Sequence, residues 1–414
     1  MKIAHVATSI SLNQVVLGRM IRQRAAGHDI TALCPDDEWA EGIRAAGFRV
    51  IDVPWLRHDV LATPRAAIRT WSVCRRERFD IVHTTNALPG LLGRPAARLA
   101  GGAAVVHTCR AWPLNQPRTF VQKLGMWLGE PVAGLASDAI LFQNPDDMSS
   151  WSALPGVPRS RATLVGNGVD VEAFDRRVDR GARERIRAEF AIPSDAFVIA
   201  VIARFEPHKG HDHLLHGLRS LGERPGPPVV TLLAGTGDDE EQVRAMVDRL
   251  GLADSVRFTG YRDDVPDLLV ASDVSVLTSL YEGIPRALME SMTLGLPIVA
   301  TDVPGTRTLI VDERTGFLVP VGDVQLLADR LQLLRTDPDR AAALGRAGRE
   351  RIERYFDERQ VTERVLEVYE HVRARRPGPL PTWSIGGTEE IGDTVKIGGA
   401  EELGGVEEGA GDAG

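Results

Sequence analysis

Short apolar runs recur along the chain, and each is followed by a stretch whose apolar residues keep helical spacing. KIAHVAT precedes such a stretch over residues 15–26, DITALC one over 37–46, RVIDVP one over 64–78 and DIVHTT one over 88–100. AAVVHTC, a helical pattern over 118–135, DAILFQ, another over 145–153, and RATLVGNGVD continue the series. β-rich runs that alternate with amphipathic helices predict parallel strands joined by crossover helices, an α/β class. After a charged connector the alternation restarts with FVIAVIA, VVTLLAG, VRFTG, VSVLTS, PIVAT and FLVP. Residues 324–335, 338–354 and 358–375 then read as three amphipathic helices.

A chain of 414 residues exceeds one ordinary core, so two lobes with a cleft between them are expected. From Pro377 the sequence turns Gly- and Glu-rich with few apolar residues, a composition that predicts disorder over 377–414. Elsewhere, 43% apolar and 26% charged residues suit a soluble globular protein. No run of 18 apolar residues predicts a spanning helix, and MKIAHVATSI reads as a first strand rather than a leader. Cys34, Cys74 and Cys109 lack CxxC spacing, so neither a disulfide framework nor a zinc site is expected, and a cytoplasmic location fits.

The net charge of −8 is unevenly spread: residues 1–165 carry +6 and residues 377–414 carry −7. A basic first lobe suits an anionic lipid surface or a pyrophosphate-bearing acceptor, although such a charge also serves plain solubility. Nucleic-acid binding gains no support, since no recognised module occurs.

In open parallel sheets ligands sit at the carboxyl ends of the strands, which directs attention to the loops of the second set. After FVIAVIA comes Arg204-Phe205-Glu206-Pro207-His208-Lys209-Gly210, with two cations beside a helix that starts near Gly210. Both suit neutralisation of a diphosphate; solvated surface charges are the plainer reading. Lys209 is one of only four lysines in a chain with 45 arginines. After VSVLTS comes Ser279 to Glu290, where Pro285 suits a first helical position. The amides of Gly283, Ile284 and Arg286 then present an anion site at a helix N-terminus. Glu282 in the loop and Glu290 on the helix are spaced to accept hydrogen bonds from two polyols, such as a sugar and a ribose.

These residues resemble the retaining GT-B glycosyltransferases of family 4, also called group 1. The resemblance covers about residues 1–375 and rests on EG-x-P-x(4)-E from Glu282 to Glu290, LGLPIVATDVPG, ARFEPHKG, LAGTGDDEE, VRFTGYRDDVPDLL, TGFLVPVGD and NGVDVEAF, all in order. It implies two Rossmann-like lobes facing across a cleft: an acceptor lobe at 1–168, a linker at 169–189, a nucleotide-sugar donor lobe at 190–355 and a helix at 356–376 that returns to the first lobe. It implies that Arg204 and Lys209 bind the donor diphosphate, that Glu290 holds the ribose, and that Glu282 contacts the transferred sugar with Gly283, Ile284 and Pro285 close by. Gly235 and Gly237, with Tyr261 and Arg262, are then expected around the base and ribose. A UDP-hexose or UDP-N-acetylhexosamine is the expected donor, and a polyprenyl-diphosphate-linked or glycolipid acceptor the expected partner, at the inner membrane face. No cofactor and no essential metal are expected.

From the first lobe, His107 matches a family position near the donor sugar and acceptor, or is a satisfied structural histidine. Asn144 either faces the cleft near the donor or caps a helix. The first loop, Thr8 to Gln14, lacks the paired glycines of many relatives, and Ser291 and Pro304 replace the usual Ala and Gly. Cys109 and His107 share a strand and are not spaced as a nucleophile and base. His208, His211, His213 and His216 crowd one stretch without HExxH spacing, so zinc is not favoured. Residues 110–128 interleave Trp112, Phe120, Met126 and Trp127 with Arg110, Arg118 and Lys123, as in a lipid-headgroup contact or an ordinary packed helix. An epimerase or hydrolase of the same fold, and a transferase with a soluble small-molecule acceptor, are the alternatives.

Overall fold

Among the described residues thirteen strands form at the apolar runs, and they assemble into two separate, wholly parallel sheets. The computed structural model describes residues 1–56, 63–116, 119–179, 181–376 and 378–385. The first sheet holds β1 (Lys2–Val6), β2 (Asp29–Cys34), β3 (Arg49–Asp52), β4 (Ile81–Thr85), β5 (Ala104–Cys109), β6 (Ala139–Phe142) and β7 (Ala162–Leu164), in the order β3-β2-β1-β4-β5-β6-β7. The second holds β8 (Phe197–Ile202), β9 (Val229–Ala234), β10 (Val256–Gly260), β11 (Val274–Leu277), β12 (Ile298–Thr301) and β13 (Phe317–Val319), in the order β10-β9-β8-β11-β12-β13. Both orders reverse beside the first strand of the set, which opens a crevice at the carboxyl ends there. Helices cover both faces, so β4, β11 and β12 are buried along their whole length. The chain has the GT-B architecture, two Rossmann-like lobes.

Local sequence sets the helix ends. Asp37, Asp170, Asp323, Asp337 and Asp357 each accept hydrogen bonds from first-turn amides, and Thr119 with Gln122 forms a capping box. The first loop departs from expectation. It is helical from Ser9, with a wide π-helical stretch at Leu12–Val16 leading into Leu17–Ala25. Ser9 Oγ donates to Asp37 at 2.5 Å and Asn13 Nδ2 to the Trp39 carbonyl at 2.8 Å, so side chains stabilise a turn that paired glycines would have left open.

The last helix, Glu358–Arg373, lies on the first sheet, where Val365, Val368 and Tyr369 pack with Ile3, Ala32 and Val106. Tyr369 OH lies 2.5 Å from His83 Nδ1, and Arg19 Nε pairs with Glu358 at 3.2 Å. The expected disorder from residue 377 begins too early. Residues 378–385 pack down: Leu380 and Ile385 are buried, and Thr163 Oγ1 donates to the Pro381 carbonyl at 2.5 Å. The apolar side chains of that short segment are few, but each finds a core. The rest of the tail expectation, 377 and 386–414, lies outside the described residues.

One apolar cluster spans both lobes. Cys109, Trp112, Phe142 and Trp151 of the first pack with Leu277, Ile284, Leu288 and Met292 of the second, beneath the carboxyl ends of β5 and β11.

Candidate active site

The loop after β8 and the loop after β11 are stitched together by the backbone. Gly210 adopts φ 63°, a left-handed conformation suited to glycine, and a side chain there would strike the Thr278 carbonyl. Thr278 Oγ1 donates to the Gly210 carbonyl at 2.9 Å, and the Leu280 amide to the His208 carbonyl at 2.8 Å. This register brings Lys209 Nζ within 2.6 Å of Glu282 Oε1, which also accepts from Ser279 Oγ at 2.7 Å. Arg204 pairs with Glu206 at 2.6 Å, His208 lies 3.2 Å from the other Glu206 oxygen, and the His208 ring stacks on Tyr281 at 4.6 Å. His211 packs its ring on Phe205 at 4.9 Å, and His213 lies beside Asp212. These three histidines therefore have separate local contacts.

Pro285 is not the first helical residue as expected. Its ψ of 115° is extended, so it is the cap of the helix Arg286–Thr293 and Arg286 begins the turn. The amides of Gly283 and Ile284 meet no acceptor among the described residues. Glu290 lies on that helix, 13% exposed, and accepts from Arg286 Nε at 2.8 Å. Arg286 also donates to the Gln14 carbonyl of the first lobe. Side chains at Gly283 or Gly305 would strike the Arg110 and Gly283 carbonyls respectively, which is why the motif needs glycine twice. Ser291, in place of alanine, is satisfied by Ser275 and the Ala287 carbonyl, both at 2.8 Å.

Gly235 and Gly237 carry the loop after β9 against the Ala203 and Phe205 carbonyls, with no room for a side chain. Tyr261, after β10, is 55% exposed and lies beside Asp263 and Gln14. Arg262 stands apart. Its guanidinium is held by Asp264 at 2.7 Å and Glu189 at 2.5 Å, which raises its pKa and commits it to those carboxylates.

In the first lobe His107 is buried, with Nδ1 2.9 Å from Thr84 Oγ1 and 3.0 Å from the Thr84 carbonyl. A carbonyl can only accept, so Nδ1 carries the proton and Nε2 is left as an acceptor beside Gly90. Burial, then Arg94, holds this imidazole well below its usual pKa, so it is neutral. Asn144 is the cap of Pro145–Ser152, accepting from the Asp147 amide at 2.8 Å, and its Nδ2 reaches Asp147 at 2.9 Å and the Gly283 carbonyl at 3.4 Å. It joins the lobes rather than leaving a free amide for a ligand. Cys109 is buried, which pushes its thiol well up and leaves it unsuited to attack.

Sequence reasoning missed the crossing contacts of Gln14, Arg110 and Arg286; position at the strand ends was the signal for Arg110. The stretch 110–128 divides in two. Trp112 and Met126 are buried, whereas Phe120 and Trp127 stand 78% and 45% exposed; Arg118 lies outside the described residues.

Residues 182–351 match the family described as "Glycosyl transferases group 1", and residues 14–173 match "Glycosyltransferase Family 4". An Escherichia coli UDP-Gal:alpha-D-GlcNAc-diphosphoundecaprenol alpha-1,3-galactosyltransferase is 28% identical over 316 residues, covering 75% of this chain and 80% of the relative. The alpha-maltose-1-phosphate synthase of Mycolicibacterium smegmatis is 30% identical over 323 residues, covering 72% and 80%. Among solved structures, Anabaena HepE in complex with UDP and glucose superposes with a TM-score of 0.77 at 20% identity, covering 89% of this chain and 99% of that one. Two lobes in GT-B order, the paired loops at Lys209 and Glu282, and these matches lead to one assignment: the chain belongs to the group 1, family 4 glycosyltransferases.

Proposed function

We propose that this glycosyltransferase moves a hexose or N-acetylhexosamine from a UDP-sugar to a lipid-linked acceptor, with retention at the anomeric carbon. The observation that carries the donor half is the Lys209–Glu282 pair at 2.6 Å beside the unpaired Gly283 and Ile284 amides. A diphosphate seated there meets a cation and two donors, with Arg204 on the same loop. The bond from the sugar C1 to the donor phosphate oxygen breaks, the acceptor oxygen bonds to C1 on the same face, and the acceptor proton passes to the departing phosphate. Nucleoside diphosphate and the new glycoside result. Lys209 and Arg204 stabilise charge growing on the leaving group, the place where such stabilisation raises turnover. Glu282, held by Lys209 and Ser279, accepts from the sugar hydroxyls. Neutral His107 offers Nε2 as an acceptor from the first lobe, and Glu290 holds the ribose. No metal is assigned a role.

The acceptor half rests on the surface of the first lobe. The helix Phe120–Leu135 turns Met126, Glu130, Ala133 and Gly134 inward, with Glu130 bound to buried Arg94 at 2.7 Å and to Trp151 Nε1 at 2.8 Å. Its other side leaves Phe120, Val121, Leu124, Trp127, Leu128 and Val132 exposed. On the helix Thr63–Glu77, separated from it by the helix Arg94–Ala100, Ile68 and Trp71 are exposed beside exposed Arg65, Arg69, Arg75 and Arg76. Apolar and aromatic side chains flanked by arginine suit the headgroup layer of an anionic membrane, and no helix among the described residues is long and apolar enough to cross one. Peripheral docking on the inner membrane face places the cleft beside a polyprenyl-diphosphate acceptor, the class printed in the E. coli relative's name. Incubation with labelled UDP- and GDP-sugars, with and without lipid extract, tests the reading. Label moving into lipid from a UDP-sugar supports it; transfer to a soluble acceptor alone, or release of free sugar, contradicts it.

A further inference from the structure

Arg110 directly follows β5, and its carbonyl abuts Gly283 of the opposite lobe. Its side chain is half-buried, yet it makes no hydrogen bond or ion pair with any described residue. The charges around it are Arg286 and Arg19, which repel it, and Glu358 and Glu282, which attract it. Both carboxylates are already committed: Glu358 to Arg19 at 3.2 Å, and Glu282 to Lys209 and Ser279. Burial and the two arginines lower the guanidinium to about 10. A withdrawn cation without an acceptor is costly, and most such groups in folded proteins are paired. The first loop does not substitute for it, because that segment is helical and its Gln14 carbonyl is occupied by Arg286.

We propose that Arg110 is a phosphate-binding residue, whose guanidinium fork takes two oxygens of a phosphate held between the lobes. It supplies from the first lobe the counter-charge that a glycine-paired first loop would have offered through its amides. The planar fork matches phosphate geometry, as lysine does not. Two sources share this chemistry: the donor diphosphate on the Gly283 side of the cleft and a phosphate of the acceptor. The inference rests on the donor site described above.

The test is calorimetric titration of the full chain and its Arg110→Ala and Arg110→Lys variants with UDP, UMP, GDP, GMP and citronellyl diphosphate. The wild type is expected to bind one nucleoside diphosphate more tightly than its monophosphate. Arg110→Ala should weaken the diphosphate about ten- to a hundredfold and the monophosphate by less than about twofold, with partial recovery in Arg110→Lys. Loss of citronellyl diphosphate binding alone also supports the phosphate role and assigns the acceptor as its source. Unchanged affinity for every ligand in a folded Arg110→Ala protein overturns the inference and leaves the donor site standing. A wild type that binds neither nucleoside diphosphate overturns the donor reading itself.

Discussion

Lys209 and Glu282 lie on loops 73 positions apart and meet at 2.6 Å, so the second lobe holds this cation and this carboxylate as one unit. The pairing fixes Lys209 without saturating it: an ammonium has three protons to donate, and Glu282 takes one.

Removing that ammonium should harm the chemical step more than donor binding. Lys209→Ala is expected to lower kcat roughly 10²- to 10³-fold while raising the donor KM only a fewfold, because the charge it meets grows as the phosphate leaves. Steady-state kinetics with the donor found by screening check this, and unchanged turnover would remove Lys209 from the mechanism.

The two carboxylates should separate. Glu290→Ala is expected to weaken nucleoside diphosphate binding by about tenfold, because the ribose is held equally in the ground state and the transition state. Glu282→Ala should leave that affinity within about twofold and cut turnover. Equal losses in UDP titrations of the two variants would contradict the division.

Much of this site was legible in the sequence. The strands were visible because both faces of each sheet are covered, which favours continuously apolar runs such as FVIAVI. The donor loops were visible because backbone contact demands glycine at Gly210, Gly235, Gly237 and Gly283, and no side chain can replace it. Contacts across the cleft were hidden. Arg286 with Gln14 and Asn144 with Gly283 join residues 272 and 139 positions apart, and nothing local marks either partner. Pro285 was misplaced by one residue because proline serves equally as cap or first residue, and ψ alone decides. Residues 378–385 escaped notice because two buried side chains leave no periodic pattern.

Acid should destabilise the first lobe through its buried histidines. Burial lowers His5 to about 4, and His83 falls well below its usual value for the same reason. A lowered folded pKa gives stability that is complete above the unfolded value of 6.5 and is lost as pH falls toward 4. The His5 contribution alone is roughly 3 kcal/mol. Urea midpoints should therefore fall between pH 7 and pH 5, and His5→Gln should flatten the dependence. An identical slope in that variant would assign the effect to other groups.

The exposed face of Phe120–Leu135 should govern lipid contact. Flotation with anionic liposomes is expected at low salt and to weaken as salt screens the arginines over about 8 to 10 Å. Replacing Trp127 and Val132, 45% and 62% exposed, by serine should reduce flotation at every salt concentration while leaving stability unchanged. Equal flotation of this double variant would move the docking surface elsewhere.

A nucleotide-sugar diphosphate should lie between the Lys209 loop and the Gly283 turn, and a crystal structure with an uncleavable UDP-sugar analogue tests this most directly. Phosphate oxygens are expected on Lys209 and on the amides of Gly283 and Ile284, with the ribose hydroxyls on Glu290. A nucleotide bound with its diphosphate away from Lys209 and its ribose away from Glu290 would contradict the donor site.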